Sequence, residues 1–183
     1  MRTAPPYPQR RALRLSDYDY GQAGAYFITI CTHRRLPLLG TIRDGVMALT
    51  AAGRIVEESW VRTPTLRPYV TLDAYAIMPN HVHGILFLHE RTTGDRSDGV
   101  EAGRRSFASP SQTIGAIVRG VKGASTSRIR KLGTQADVQI WQREYHDHVI
   151  RDACDLDRIR EYIQNNPRKW ELDRYYLRMD KTP

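Results

Sequence analysis

Two histidines separated by one residue, His81 and His83, have the residue type and spacing that most directly suggest chemistry in this chain. They follow a Pro79–Asn80 turn and begin an apolar segment that reads as a β-strand. Because side chains alternate between the two faces of a strand, we expect both imidazoles on one face and Val82 on the other. Such a pair can ligate one metal ion, whereas a single strand histidine is more often a packed or surface residue. The segment alone leaves both interpretations open.

A second candidate group, Tyr162 and Asn166, lies near the C-terminal end of the sequence. Their four-residue spacing places them one turn apart on a helix that Ile159 and Ile163 are expected to hold against the core. If this helix crosses the sheet face of the histidines, two imidazoles and an amide oxygen leave metal positions open for phosphate and water. A tyrosine beside such an ion can attack phosphorus, although a tyrosine beside an apolar stripe is more often a core-edge residue.

The elements that must position these residues are predicted in the order β, α, β, β, α, β, α. We predict strands over residues 25–32, 70–77, 81–88 and 138–141, and helices over 47–62, 111–132 and 155–166. The first six elements match an α+β, ferredoxin-like pattern, with a four-stranded antiparallel sheet and helices on one face. The first and third strands are central in this topology, so His81 and His83 would lie on a central strand. The face of the sheet that carries no helices would be open for a site.

The charge of the chain favours phosphate-bearing partners. Its 183 residues include 28 Lys and Arg against 20 Asp and Glu, a net charge of +8. The candidate nucleic-acid contacts are Arg10, Arg11, Arg14, Arg128, Arg130, Lys131 and Arg151. A charge run is usually only a solvated face, and Arg151 could equally pair with a carboxylate. We predict a basic arm at 1–22, one domain carrying the site at 23–172 with a flexible loop at 91–110, and a loosely packed tail at 173–183.

The cysteines and the apolar segments exclude several other classes. Cys31 and Cys154 are far apart and form neither a disulfide framework nor a zinc-finger spacing. The N-terminal segment has no apolar run typical of a signal peptide, and no segment approaches the length of a membrane helix. We therefore expect a soluble, cytoplasmic protein with no membrane partner.

Four segments, taken together and in order, resemble the single-tyrosine HUH transposases, in particular the REP-associated tyrosine transposases. The segments are Gly24–Thr29, Met78–His83, Ile140–Arg151 and Tyr162–Pro167 through Trp170, and the resemblance spans about residues 10–172. The histidine pair alone is moderately specific, whereas the four segments in this order are highly specific.

This resemblance implies a metal-dependent endonuclease and strand transferase that acts on single-stranded or hairpin DNA. It implies that Tyr162 is the nucleophile, which becomes linked to a 5′-phosphate, and that His81 and His83 bind Mg²⁺ or Mn²⁺. Asn166 matches a polar ligand position that is Gln in some relatives, and its shorter side chain leaves open whether it binds the ion directly or through water. Relatives of this kind include monomers and homodimers.

Other interpretations remain at this stage. His146 and His148 are a second pair at the same spacing, interpreted as part of a polar loop, and Tyr175 and Tyr176 are rival nucleophiles outside the ordered helix. A non-catalytic nucleic-acid-binding module with a ferredoxin-like fold is the alternative function, although the expected stacking aromatics are replaced by histidines. A structural metal domain would need a closed ligand set, which the sequence lacks.

Overall fold

The computed structural model describes residues 22–90, 113–133 and 139–176. Arg10, Arg11 and Arg14, the predicted loop at 91–110 and residues 177–183 lie outside the described residues. The elements are β1 (Gly24–Cys31), β2 (Gly40–Arg43), β3 (Val46–Leu49), α1 (Ala51–Val61), α2 (Thr63–Leu66), β4 (Val70–Met78), β5 (His81–Leu88), α3 (Ile114–Arg130), β6 (His146–Ile150) and α4 (Ala153–Asn165), with short 3₁₀ helices at His33–Arg35 and Pro167–Leu172.

The main sheet has the predicted α+β architecture. Its four strands are antiparallel in the order β4-β5-β1-β6, so the first and third predicted strands are central. Within this sheet His81 lies opposite Cys31 and His83 opposite Thr29. The histidine pair therefore begins a central strand, which is held by backbone hydrogen bonds on both sides.

The larger core lies between one face of this sheet and helices α1 and α3. Tyr26, Ile28 and Leu86 are fully buried against Trp60 of α1 and Ile117 of α3. Gly84 makes the closest approach in this core, because a Cβ there would lie 2.2 Å from Cζ2 of Trp60. Only glycine fits that position without displacing the indole.

Helix α4 packs on the other face of the sheet, which is the condition under which Tyr162 and Asn166 were expected to meet the histidines. Ile159 and Ile163 bury their side chains against Ile85 of β5, and the apolar face of α4 therefore matches the apolar face of the sheet. Arg160 adds a bidentate ion pair to Asp73 of β4, with distances of 2.6 and 3.0 Å. This pair fixes the rotation of α4 about its axis and so determines which residues face the histidines.

The prediction that the fourth strand lies over 138–141 is wrong. The fourth strand of the main sheet is β6, which begins five residues after position 141. In the described part of that segment, Trp141 forms only an isolated bridge with Thr32, and its indole Nε1 donates to Ser125 Oγ at 3.1 Å. Its apolar character serves core packing, not strand pairing. β6 is the last strand of the described sheet and pairs only with β1, so it carries few apolar residues.

The first residues of helices α1 and α3 also differ from the prediction. The helix expected from residue 47 begins at Ala51, because Thr50 caps it by accepting a hydrogen bond from Gly53 N at 3.0 Å. The preceding residues form the hairpin β2–β3, whose turn uses left-handed Asp44 and Gly45, with φ of 51° and 74°. Helix α3, which was predicted from residue 111, begins at Ile114 because Thr113 caps it. None of the described helices is long and apolar enough to span a membrane.

Candidate active site

The two histidines lie buried on the sheet face that α4 covers, with 0% and 1% of their surfaces exposed. Asn80 determines the tautomer of His81. Its amide nitrogen donates to two carbonyls, so its Oδ1 must accept from His81 Nδ1 at 2.8 Å. His81 Nε2 then carries a lone pair, and it has no hydrogen-bond partner among the described residues. This nitrogen has the form needed to bind a metal ion.

Tyr162 and Asn166 of α4 meet the histidine pair. The Tyr162 hydroxyl lies 3.1 Å from His83 Nε2 and donates to Asp173 Oδ2 at 3.0 Å. Asn166 Nδ2 donates to the same carboxylate oxygen at 2.7 Å, while the buried Asn166 Oδ1 has no partner within the described chain. The one-turn spacing predicted from the sequence therefore places the Tyr162 hydroxyl beside His83 and the Asn166 amide on Asp173, the carboxylate that lies close to both histidines.

The segment after α4 contributes Asp173, which the sequence did not indicate, and Tyr175, which was expected only as a rival nucleophile outside the ordered helix. A carboxylate oxygen of Asp173 and nitrogens of the two histidines all lie within 4.8 Å of one another. The Tyr175 ring is 2% exposed and packs on His81 with ring centroids 4.7 Å apart. The expectation of loose packing after residue 172 is therefore wrong for residues 173–176. The 3₁₀ helix Pro167–Leu172 returns the chain to the sheet, and the aromatic run after it was the available signal.

Burial controls the protonation of these groups. It lowers the pKa of His81 to about 3, with smaller contributions from the charges of Arg174 and Arg35. Burial, followed by the charge of His81, also lowers the pKa of His83 well below its usual value. Both imidazoles are therefore neutral at pH 7, the state that ligates metals. Burial and then the Asp173 charge raise the pKa of Tyr162, so its phenol is protonated.

A cleft of 480 Å³ opens beside Tyr162, and the second histidine pair lies in its wall. Phe27, His146, His148 and Arg174 line it together with Tyr162. The segment predicted as a polar loop is strand β6, which places His146 near the site and turns His148 toward Asp155, 2.7 Å away. Because His148 has this separate partner, the two residues do not form a second metal pair.

No family profile matches the sequence. An uncharacterized protein of Haemophilus influenzae is 42% identical over 170 residues, which cover 92% of this chain and 93% of that protein. The chain belongs to the same family as this protein.

The fold of this family is seen in a solved structure, a REP-associated tyrosine transposase bound to a REP hairpin. It superposes with a TM-score of 0.57 at 23% identity, covering 85% of this chain and 74% of that one. A candidate transposase from Deinococcus radiodurans is similar with a TM-score of 0.47 at 17% identity, covering 90% of this chain and 97% of that one. The chain thus has the fold of the REP-associated tyrosine transposases, as its four sequence segments predict.

The predicted nucleic-acid contacts on α3 do not meet the histidine site in this transposase fold. Arg128, Arg130 and Lys131 lie at the C-terminal end of α3, which packs on the opposite face of the sheet, and Arg128 pairs with Glu58 of α1. Arg151 is exposed and lies two residues before the first residue of α4, the helix that carries Tyr162. Among the described cations, Arg35 and Arg174, which the sequence did not single out, are those whose charges lower the pKa of His81.

Proposed function

We propose that this protein is a metal-dependent single-stranded DNA endonuclease and strand transferase of transposase type, acting through a 5′-phosphotyrosine intermediate. The observation that carries the proposal is the contact of the Tyr162 hydroxyl with His83, 3.1 Å apart, on a fold shared with a hairpin-bound transposase. Hairpin-containing DNA is the proposed substrate, and the cytoplasm is the proposed site of action. The protein would act as a monomer or homodimer.

The residues present fit a divalent ion. His81 Nε2 and Asn166 Oδ1 are both buried acceptors without a partner in the described chain, and such atoms are costly unless something binds them. Amide oxygen suits Mn²⁺ or Mg²⁺, and imidazole nitrogen is a ligand typical of transition-metal ions. We assign His81, His83 and Asn166 as ligands. When bound, the ion would polarise a phosphoryl oxygen and favour the ionised phenol.

Asp173 is placed to take the proton of the nucleophile. Its Oδ2 already accepts the Tyr162 hydroxyl at 3.0 Å, and Asn166 Nδ2 holds the same oxygen at 2.7 Å. In the proposed step the phenol proton passes to Asp173 while the Tyr162 oxygen bonds to phosphorus. The bond from phosphorus to the 3′ oxygen breaks, and that oxygen leaves as a hydroxyl after receiving the proton. Reversal of the step rejoins the strand without an external energy source.

The remaining parts of the chain have supporting roles in this proposal. The catalytic domain spans residues 23–172, and we add to it residues 173–176, because Asp173 and Tyr175 lie in the site. Phosphate contacts along the DNA would come from Arg10, Arg11, Arg14, Arg128, Arg130, Lys131 and Arg151. The described members of this set, Arg128, Arg130, Lys131 and Arg151, lie outside the histidine site, so they would contribute affinity and not chemistry.

The test is covalent retention of DNA. A labelled single strand with a hairpin is incubated with the protein in Mn²⁺ or Mg²⁺ and then denatured. We expect a labelled band at the mass of the protein, which disappears when a chelator is present. Binding without cleavage would support the alternative, a nucleic-acid-binding module, and cleavage without a covalent band would point to water as the nucleophile.

A further inference from the structure

Two arginines project over one aromatic ring at the edge of the site. The guanidinium carbons of Arg35 and Arg174 lie 5.1 and 4.6 Å from the centroid of Tyr175. Neither arginine has an ion-pair partner among residues 22–90, 113–133 and 139–176. Arg174 Nη2 donates to the Tyr175 hydroxyl and Arg35 Nη1 donates to Arg174 O at 3.4 Å, so these bonds hold the two guanidinium groups next to each other. The other N–H groups of each guanidinium remain to bind an anion. The pair therefore presents two oriented, uncompensated positive charges.

The backbone that carries Arg35 is strained. Arg34 and Arg35 are consecutive residues with left-handed φ of 52° and 56°, which residues other than glycine rarely adopt. Hydrogen bonds hold this turn, with Arg35 N donating to Thr32 O at 3.1 Å and Asn80 Nδ2 donating to Arg35 O at 3.1 Å. Such strain persists where the surrounding structure imposes it, and it is concentrated at binding and catalytic sites.

Asn80 connects both arginine segments to the metal ligand. The amide is 1% exposed and donates to Arg35 O at 3.1 Å and Tyr175 O at 2.8 Å, while its oxygen accepts from His81 at 2.8 Å. One buried side chain thus fixes the two guanidinium-bearing segments relative to His81. The charges are preorganised instead of being placed on flexible surface side chains.

We propose that Arg35 and Arg174 form a clamp that binds a phosphate of the DNA strand lying in the cleft beside Tyr162. Arg174 and Tyr162 line the same 480 Å³ cleft. Guanidinium groups bind phosphate oxygens in a bidentate manner, so the clamp would hold the backbone next to the nucleophile. This inference rests on the proposed function, since it names residues that position the substrate at that site.

Binding measurements test the clamp without requiring cleavage. In a Tyr162→Phe background, Arg35→Gln, Arg174→Gln and the double variant are titrated with a fluorescent oligothymidylate over a range of salt concentrations. The matched control is Arg62→Gln, an exposed arginine at the end of α1 on the opposite sheet face. We expect each clamp substitution to reduce the slope of log affinity against log salt by ~0.7, while the control keeps the parent slope.

Lysine variants separate a charge contact from a structural role. Arg35→Lys and Arg174→Lys should restore the slope, because the charge returns, and Mn²⁺ affinity should not fall in any variant, because neither arginine is a proposed ligand. An unchanged slope in the double Gln variant would overturn the clamp, and so would Lys variants that fail to restore it. If the clamp variants show this pattern but the wild-type protein, with Tyr162 intact, never forms a covalent adduct, the proposed function is refuted and the clamp is supported.

Discussion

At the scale of single residues, two buried atoms without partners in the described chain, His81 Nε2 and Asn166 Oδ1, indicate what the site binds. Each unsatisfied atom costs about 1–3 kcal/mol, and one cation beside both would remove that cost. The low pKa of His81, about 3, keeps its imidazole neutral across the range in which proteins are usually handled. Metal binding should therefore require no proton release from His81 at pH 7.

The first prediction concerns this ligand. His81→Ala should lower the affinity for Mn²⁺ by roughly tenfold or more, as measured by isothermal titration calorimetry, because it removes a nitrogen with no other role on that side. His89→Ala is the matched control, since His89 is exposed and contacts Thr71 at 2.9 Å. Parent-like Mn²⁺ binding by His81→Ala would show that the assignment of ligands is wrong.

A second prediction separates the roles of Asp173. Asp173→Asn keeps the shape of the side chain and removes its charge, so adduct formation should slow by roughly 10²–10⁴-fold if Asp173 is the proton acceptor. Mn²⁺ affinity should stay near that of the parent, whereas a large drop in that affinity would identify Asp173 as a ligand. Asp157→Asn, an exposed residue of α4 paired with Arg160 at 3.0 Å, is the control. Adduct formation at the parent rate would refute both roles.

At the scale of elements, sequence patterns predicted the segments whose signals are local. The alternation around His83 and the helical spacing of Ile159 and Ile163 both depend on neighbouring residues, and β5 and α4 formed as expected. Strand β6 was missed because an edge strand is defined by its pairing with β1, which leaves little apolar pattern. Asp173 was missed because its approach to the histidines depends on a return of the chain after Pro167.

The third prediction tests how tightly β5 is held against α1. Gly84→Ala places a methyl group 2.2 Å from Trp60 Cζ2, so it should lower the free energy of unfolding by about 1–3 kcal/mol. Gly123→Ala in α3 is the control, because no atom lies within 4 Å of its Cβ position, and it should stabilise the helix by up to about 1 kcal/mol. Chemical denaturation measures both values, and equal effects of the same sign would contradict the packing described here.

At the scale of the whole molecule, the described positive charge lies on two sides of the sheet. Arg130 and Lys131 are exposed at the end of α3 on one side, and Arg174 lines the cleft beside Tyr162 on the other. A DNA molecule with one strand in the cleft and a hairpin reaching α3 would contact both sides of the sheet. The net charge of +8 would then attract a single ligand to both sides.

The fourth prediction follows from this distribution. Affinity for a hairpin-bearing single strand should fall steeply with salt, and removing one phosphate-binding cation should reduce the log–log slope by ~0.7. The variant to measure replaces all of the predicted phosphate-binding residues with glutamine: Arg10, Arg11, Arg14, Arg128, Arg130, Lys131 and Arg151. A parent-like slope in that variant would mean that the DNA does not pass these residues.

The central claim is that Tyr162 forms the covalent link to DNA, and mass spectrometry of the adducted peptide tests it most directly. Tyr162→Phe removes only the hydroxyl, so folding and DNA binding should survive while the adduct disappears. In the parent protein, incubation with the hairpin-bearing strand and Mn²⁺, denaturation and proteolysis should give one nucleotide-linked peptide, carrying the mass at Tyr162. A nucleotide on Tyr145, Tyr175 or Tyr176, or an adduct that persists in Tyr162→Phe, would contradict the account.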